Sequence, residues 1–246
     1  MNVWLLAIIG EIIVLYILTR RLTQNLYIAS FLLTKSRAVS IGFLSLIFFP
    51  GTVIHELAHL FTAEILGVHT GGLTLVPEGI EQTNVRTGSV SIAQTDPLRR
   101  AAIGVAPVFV GMATLFTISY FLPMLWNQTA LDFQNGIAFS QYSLYTLLLS
   151  FYALFAVSNS MFSSHEDMEG FWPVAIVVIL VFGAAYIAGI KFSLPANTVA
   201  GVSSFIQSLA TNLGGVVGLN ITLFFLSHLS IFAVEKATGR TFVRKS

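Results

Sequence analysis

The chain has 246 residues, of which 55% are hydrophobic and only 9% are charged. An average soluble domain carries about 25% charged residues, so this composition excludes a soluble enzyme, even one with a single membrane anchor. The 12 Lys and Arg residues balance 11 Asp and Glu residues, and there is no cysteine, which argues against a nucleic-acid-binding face and excludes disulfides and thiolate metal sites.

Apolar stretches long enough to cross a bilayer recur along the chain, at about six positions. In chain order they are Val3–Leu18, Val39–Gly67, Ala101–Leu125, Tyr142–Met161, Trp172–Ile190 and Leu213–Val234. The stretches Leu22–Arg37 and Phe192–Asn212 are mixed in character, and the first of them is too polar to predict a span. No repeat or linker divides the sequence, so residues 1–246 are predicted to form a single transmembrane domain.

A different pattern separates the second and third apolar stretches. Leu73–Val76 and Ser89–Ala93 alternate apolar and polar residues and predict short strands, with a turn at Pro77–Gly79. The predicted fold class is therefore an all-α polytopic membrane protein of about six transmembrane helices, with a small membrane-associated β element between helices 2 and 3.

The basic residues do not agree with six full crossings. Lys35 and Arg37, with Arg20 and Arg21, predict a cytoplasmic first loop, and the basic tail that starts at Lys236 predicts a cytoplasmic C-terminus. Six crossings would put these two segments on opposite faces. Either one stretch is re-entrant or the mixed stretch Phe192–Asn212 contributes another crossing.

The second apolar stretch contains a metal-binding pattern. His55 and His59 are four residues apart, which on a helix puts both imidazoles on one face, at a spacing that allows two nitrogens to bind one tetrahedral ion. Glu56 lies beside them with a carboxylate available as a general base. Ionisable residues inside an apolar span are costly and usually mark a functional site.

A catalytic zinc ion usually has three protein ligands, so a third ligand is expected elsewhere in the chain. Four ionisable residues are concentrated between the fourth and fifth apolar stretches. Among them Asp167 is the candidate, and His165, Glu166 and Glu169 are the competing donors. The sequence alone leaves this choice open.

These motifs resemble the site-2 protease family of intramembrane zinc metalloproteases. The His55–His59 motif in an apolar helix, the β segment after it and the Gly104–Pro107 stretch are similar to that family's helix, sheet and Gly-Pro helix. Asn159, eight residues before Asp167, resembles the Asn that precedes an Asp-Gly in the family's second motif, although Met168 and Glu169 intervene here before the Gly. The resemblance covers roughly residues 40–175 and is closest to short bacterial or archaeal members without a PDZ domain, which implies a prokaryotic cell membrane.

The resemblance implies a zinc-dependent endopeptidase that cuts membrane proteins in or near their transmembrane helices, within the lipid bilayer. One catalytic Zn²⁺ would be bound by His55, His59 and Asp167, Glu56 would act as the general base, and Asn159 would bind the substrate. The exposed edge of the β segment would pair with an unwound substrate. No nucleic-acid partner is expected.

Two alternatives remain at this stage. Zinc carriers of the ZIP type also have a His-Glu pair and a further His on one transmembrane helix, so a divalent-cation transporter is the second hypothesis. The third is a catalytically inactive relative that binds membrane partners.

Overall fold

A computed structural model describes residues 2–75, 88–136, 142–162, 167, 171–189 and 195–239. Within these residues it contains six helices and one two-stranded sheet. In chain order they are α1 (Asn2–Thr34), α2 (Arg37–Ile65), β1 (Thr70–Thr74), β2 (Ser89–Ile92), α3 (Pro97–Gln134), α4 (Tyr142–Ser160), α5 (Phe171–Ile187) and α6 (Ala196–Thr238).

Five of the described helices, α1, α2, α3, α4 and α6, are long and apolar enough to cross a membrane. The remaining one, α5, has 17 residues, and a helix of that length rises only about 26 Å, less than the ~30 Å of a hydrocarbon core. The molecule is therefore a multi-pass, helical membrane protein with a small sheet between α2 and α3, which confirms the predicted fold class.

α1, α3 and α6 are longer than their apolar stretches predict, and the difference is greatest for α1 and α6. α1 continues past Arg20 and Arg21 to Thr34, because arginine favours helices and its long stem can pack while its charge reaches a polar surface. The Arg20 guanidinium lies 4.8 Å from the centre of the Tyr16 ring. α6 begins at Ala196, so it includes most of the mixed stretch before Asn212. The two mixed stretches thus belong mainly to helices and not to connecting segments.

The strands pair antiparallel, with Leu73 opposite Val90, Thr74 opposite Ser89 and an irregularity between Thr70 and Leu73. Both predicted strands are confirmed, although β1 begins earlier than expected. The predicted turn at Pro77–Gly79 lies outside the described residues. The sheet therefore occupies the connection between the helix with the histidine motif and the helix that follows it.

α2, α3 and α4 pack against one another around the motif. The Tyr152 hydroxyl of α4 donates a hydrogen bond of 3.0 Å to the Ile47 carbonyl of α2, and the rings of Phe48 and Phe155 lie 5.4 Å apart. The main apolar core joins α3 and α4 to α1 and α6, and Ile54 of α2 packs against it; its buried members are Leu15, Leu115, Leu154, Val157, Met161, Leu213 and Val216.

Asp96 caps the first turn of α3. Its Oδ1 accepts hydrogen bonds from the backbone N–H groups of Arg99 and Leu98, at 3.0 and 3.1 Å, and Pro97 occupies the first helical position, where no backbone N–H is needed. The hydrogen bond from Arg99, followed by the charge of that residue, holds the pKa of Asp96 below its ordinary value of 3.8. The cap fixes where α3 starts, and therefore where its first two turns lie beside α2.

Candidate metal centre

The two histidines of α2 lie together, as their spacing predicts. Their Nε2 atoms are 3.2 Å apart, and their rings meet edge to face with centres separated by 4.9 Å. His59 is buried and His55 is partly buried. Both imidazoles therefore direct one nitrogen toward a common point near the end of α2.

Asp167 completes this group from the segment between α4 and α5. Its Oδ1 lies 3.5 Å from His59 Nε2, and its Oδ2 lies 3.8 Å from His55 Nε2. All three potential ligand atoms lie within 4.8 Å of one another. Among the residues that the structure describes, these three form the one cluster of histidine and carboxylate side chains that could bind a metal ion.

The distances fit a divalent metal ion. Donors around a tetrahedral zinc ion, at bond lengths of ~2.0–2.1 Å, lie about 3.3 Å apart. The two Nε2 atoms are 3.2 Å apart, and each lies 3.5–3.8 Å from a different oxygen of Asp167, so one ligand atom from each residue lies within 4.8 Å of the others. Two imidazoles and one carboxylate also leave a fourth position available, as catalytic zinc sites require.

A backbone group of α3 orients His59, one of the potential ligands. His59 Nδ1 lies 2.9 Å from the carbonyl oxygen of Ile103, which can only accept a hydrogen bond, so Nδ1 must carry the proton. In the neutral ring the lone pair is then on Nε2, the atom that faces His55 and Asp167. Metal-binding histidines are commonly oriented by such a second hydrogen bond.

The approach of Asp167 depends on a glycine. A Cβ atom at Gly104 would collide with the backbone carbonyl oxygen of Asp167. Because Gly104 directly follows Ile103, the same turn of α3 orients His59 and makes room for the backbone of Asp167. Gly104, the first residue of the Gly104–Pro107 stretch, is therefore part of the candidate site.

Glu56 lies beside the three potential ligands without belonging to them. It is buried and interacts electrostatically with both histidines and with Asp167. The start of β2 approaches it closely, since a Cβ at Gly88 would lie 2.9 Å from Glu56 Oε1. This arrangement leaves a carboxylate next to the donor group and between α2 and the sheet.

A cavity of about 540 Å³ opens beside the site. His59 and Asp167 form part of its wall, and the sheet and the start of α3 form the rest through Val90, Ile92, Ala93, Gln94, Thr95, Arg100, Ile103 and Gly104. Both apolar side chains, such as Val90 and Ile92, and polar ones, such as Gln94 and Arg100, therefore line the approach to the potential ligand atoms.

Asn159, the predicted substrate contact, lies in a polar contact between helices. Its amide nitrogen donates to Phe155 O at 2.8 Å and to Asn220 Oδ1 of α6 at 3.1 Å. Asn220 in turn donates to Ser158 Oγ at 3.0 Å. The Asn159 Oδ1 atom is buried without a hydrogen-bond partner in the described part of the chain, and Asn159 is not among the residues that line the cavity.

The competing donors His165, Glu166 and Glu169 lie outside the described residues. The sequence did not identify Ile103, which orients His59, or Gly88, which lies against Glu56, as parts of the site. The carbonyl of Ile103 acts through the backbone, which no side-chain pattern reports, and Gly88 stands in a polar stretch where glycine is ordinary. Arg100, which lines the cavity, was likewise not singled out.

Comparisons with protein-family models, curated proteins and solved structures found no match to this chain.

Proposed function

We propose that this chain is a zinc-dependent intramembrane endopeptidase of the site-2 protease kind, which hydrolyses peptide bonds in or near transmembrane segments of membrane proteins, in a prokaryotic cell membrane. One observation carries the proposal. Potential ligand atoms of His55, His59 and Asp167 lie within 4.8 Å of one another in a bundle of helices long and apolar enough to cross a membrane, with the Glu56 carboxylate beside them.

The residues have separate roles in this proposal. His55, His59 and Asp167 bind the ion, and the Ile103 carbonyl keeps His59 in the binding tautomer. Zinc at this position would supply Lewis acidity to the scissile carbonyl and to a water molecule. Glu56 takes the proton from the attacking water and passes it to the leaving amine.

The sheet provides a place for an unwound substrate. A helical substrate hides its peptide bonds, so it has to be extended before hydrolysis. β2 contributes Val90 and Ile92 to the cavity wall, and within the described residues each strand of this two-stranded sheet has one edge without a strand partner. An extended substrate that pairs with this sheet would present its backbone to the metal site.

Asn159 has a narrower role than the resemblance implies. Both hydrogens of its amide are used by Phe155 and Asn220, so it has no donor left for an oxyanion. Its Oδ1 atom has no hydrogen-bond partner within the described residues, but it is buried and Asn159 does not line the cavity. A substrate contact by Asn159 therefore stays a prediction from the resemblance, and it would require this helix contact to open.

The test combines metal analysis with cleavage of a model transmembrane peptide by the purified protein. Wild type is expected to contain about one zinc ion per chain and to cleave the peptide. Glu56→Gln is expected to keep the metal and lose at least ~100-fold in rate, the typical contribution of a general base. Glu64→Gln is the matched control, because Glu64 is an exposed carboxylate on the same helix.

Metal-free wild type, or a Glu56→Gln variant that cuts at the wild-type rate, would overturn the proposal. Zinc flux across proteoliposomes without cleavage would favour the transporter. A folded, zinc-loaded protein that cuts no membrane peptide would favour the inactive relative.

A further inference from the structure

α1 and α6 run in the same direction. Oε1 of Glu11 lies against Gly214, where a Cβ would be 3.2 Å from it. Further along, the Asn25 amide donates to Ser227 Oγ at 3.0 Å and to His228 Nδ1 at 2.8 Å. Residue numbers rise together along both helices, and the hydrogen-bonded pairs are 202 and 203 positions apart. The two helices therefore form a parallel pair in constant register.

The parallel pair determines the number of crossings. α1 and α2 are joined by two residues, Lys35 and Ser36, so α2 starts on the face where α1 ends. α2, α3 and α4 then cross in alternate directions, and the contacts Ile47–Tyr152 and Phe48–Phe155 agree in showing α2 and α4 parallel. The chain thus returns after α4 to the face where α1 begins.

α6 must also begin on that face, because it is parallel to α1. α5 lies between α4 and α6 and therefore adds no crossing, in agreement with its length of 17 residues. Within the described residues, the chain therefore crosses the bilayer five times.

The register also brings the basic residues together. The offset of about 203 places Thr34, the end of α1, beside the last turn of α6. Lys35, Arg37 and Lys236 consequently lie on one membrane face, which we call the basic face. Arg240, Arg244 and Lys245 follow α6 within a few positions in the sequence. Five crossings therefore resolve the conflict between the first loop and the C-terminus.

The metal site lies toward the other face. His55 and His59 stand ten and six residues before Ile65, the end of α2, and Ile103 stands six residues after the start of α3. At 1.5 Å per residue the site is about 9–15 Å along the helices from those ends. The cavity is lined by β2 and by residues 93–95, which join these two ends opposite the basic face.

We infer that the site receives substrate and water from the face opposite the basic face. This inference rests on the proposed function. It defines the substrates as membrane proteins whose scissile bond lies in the half of the bilayer next to the sheet. Bonds in the half near the basic face are out of reach, because there the packed helices α2, α3 and α4 separate them from the site.

The absence of cysteine allows a direct test by single substitutions in the full-length protein. Ala38→Cys and Lys236→Cys mark the basic face, Gln94→Cys marks the cavity mouth, and Ala188→Cys marks the end of α5; all four positions are exposed. A membrane-impermeant thiol reagent is applied to oriented membranes from one side and then from the other.

The first two variants are expected to label from one side only, and the last two from the opposite side only. Labelling of Ala38→Cys and Lys236→Cys from different sides would overturn the parallel pair. Labelling of Gln94→Cys from the basic face would overturn the direction of access, and labelling of Ala188→Cys from that face would show that α5 crosses.

Labelling needs neither metal nor activity, so its failure is distinct from failure of the proposed function. In a second measurement, mass spectrometry locates the bond cut in a model span inserted in one known orientation. Cuts confined to the half next to Gln94 support the inference, and cuts in the other half contradict it.

Discussion

Two regions of this protein place polar side chains inside apolar helices, and they use them differently. In the α1–α6 pair, Asn25 donates to Ser227 and His228, so the polar groups satisfy one another across the helix contact. In the metal region, Nε2 of His55 and of His59 face the carboxylate of Asp167 across 3.8 and 3.5 Å. Both regions contain histidine within a membrane-crossing helix.

The two regions differ in whether the polar atoms are paired with one another or are directed together toward one point. Hydrogen bonds between transmembrane helices add modest stability and fix which faces meet. Three potential ligand atoms that converge without enough hydrogens to satisfy one another are instead suited to a cation. A polar side chain inside a membrane helix is therefore not enough to identify a binding site. The convergence of several potential ligand atoms is the property that separates a binding site from a packing contact.

The largest expected effect compares one histidine from each region. His59→Ala removes a proposed zinc ligand, so zinc affinity should fall by more than the ~10–100-fold that loss of an outer-shell partner costs. His228→Ala removes contacts with Asn25 and with the Phe224 ring, both outside the candidate metal site, and should leave zinc content at the wild-type level. Metal analysis and competition with a chelator measure the zinc content and affinity of both variants. Loss of zinc from His228→Ala would contradict the distinction between a metal site and a packing contact.

A second comparison uses one glycine from each region. Gly104→Ala adds a Cβ that collides with the Asp167 carbonyl, and displacement of Asp167 should lower zinc affinity by roughly 10–100-fold. Gly218→Ala on α6 meets no neighbouring atom within 4 Å, so its zinc affinity should not change. Unaltered zinc binding by Gly104→Ala would show that Asp167 is not a ligand or does not need this approach.

The smallest expected effect is on stability. Asn25→Ala removes the hydrogen bonds to Ser227 and His228 and should lower the unfolding free energy by about 0.6 kcal/mol, the average for such contacts. Asn212→Ala is the control, because that amide donates within its own helix to Ser208. Unfolding in detergent measures both, with zinc-loaded protein monitored in parallel. A loss of zinc from folded Asn25→Ala protein would show that the α1–α6 contact affects metal binding, and it would contradict the separate roles of the two regions.

Much of the fold follows from local sequence properties. Hydropathy identifies the apolar stretches, and alternation identifies the strands, because each depends on neighbouring residues. The helix ends were harder to predict. The polar residues beyond Arg20 and before Asn212 stay helical because α1 and α6 pack along each other, burying Leu22 and Asn25, and this contact joins parts of the chain about 200 residues apart.

The candidate site also has one part that local sequence predicts and another part that depends on how the helices pack. The spacing of His55 and His59 predicts their shared face, because both lie on one helix. The position of Asp167 relative to them depends on how closely α3 permits its backbone to approach at Gly104. The Ile103 carbonyl is a backbone group that every residue possesses, so its role becomes visible only when α3 is placed beside α2.

The parallel pair of α1 and α6 also bears on biosynthesis. α1 leaves the ribosome well before α6, since their hydrogen-bonded contacts are separated by 202 and 203 positions. Until α6 has been synthesised, Asn25 lacks these two partners. The α1–α6 pair therefore forms only after α6 has been inserted, and a chain that stops before α6 would leave the Asn25 amide without them in the membrane.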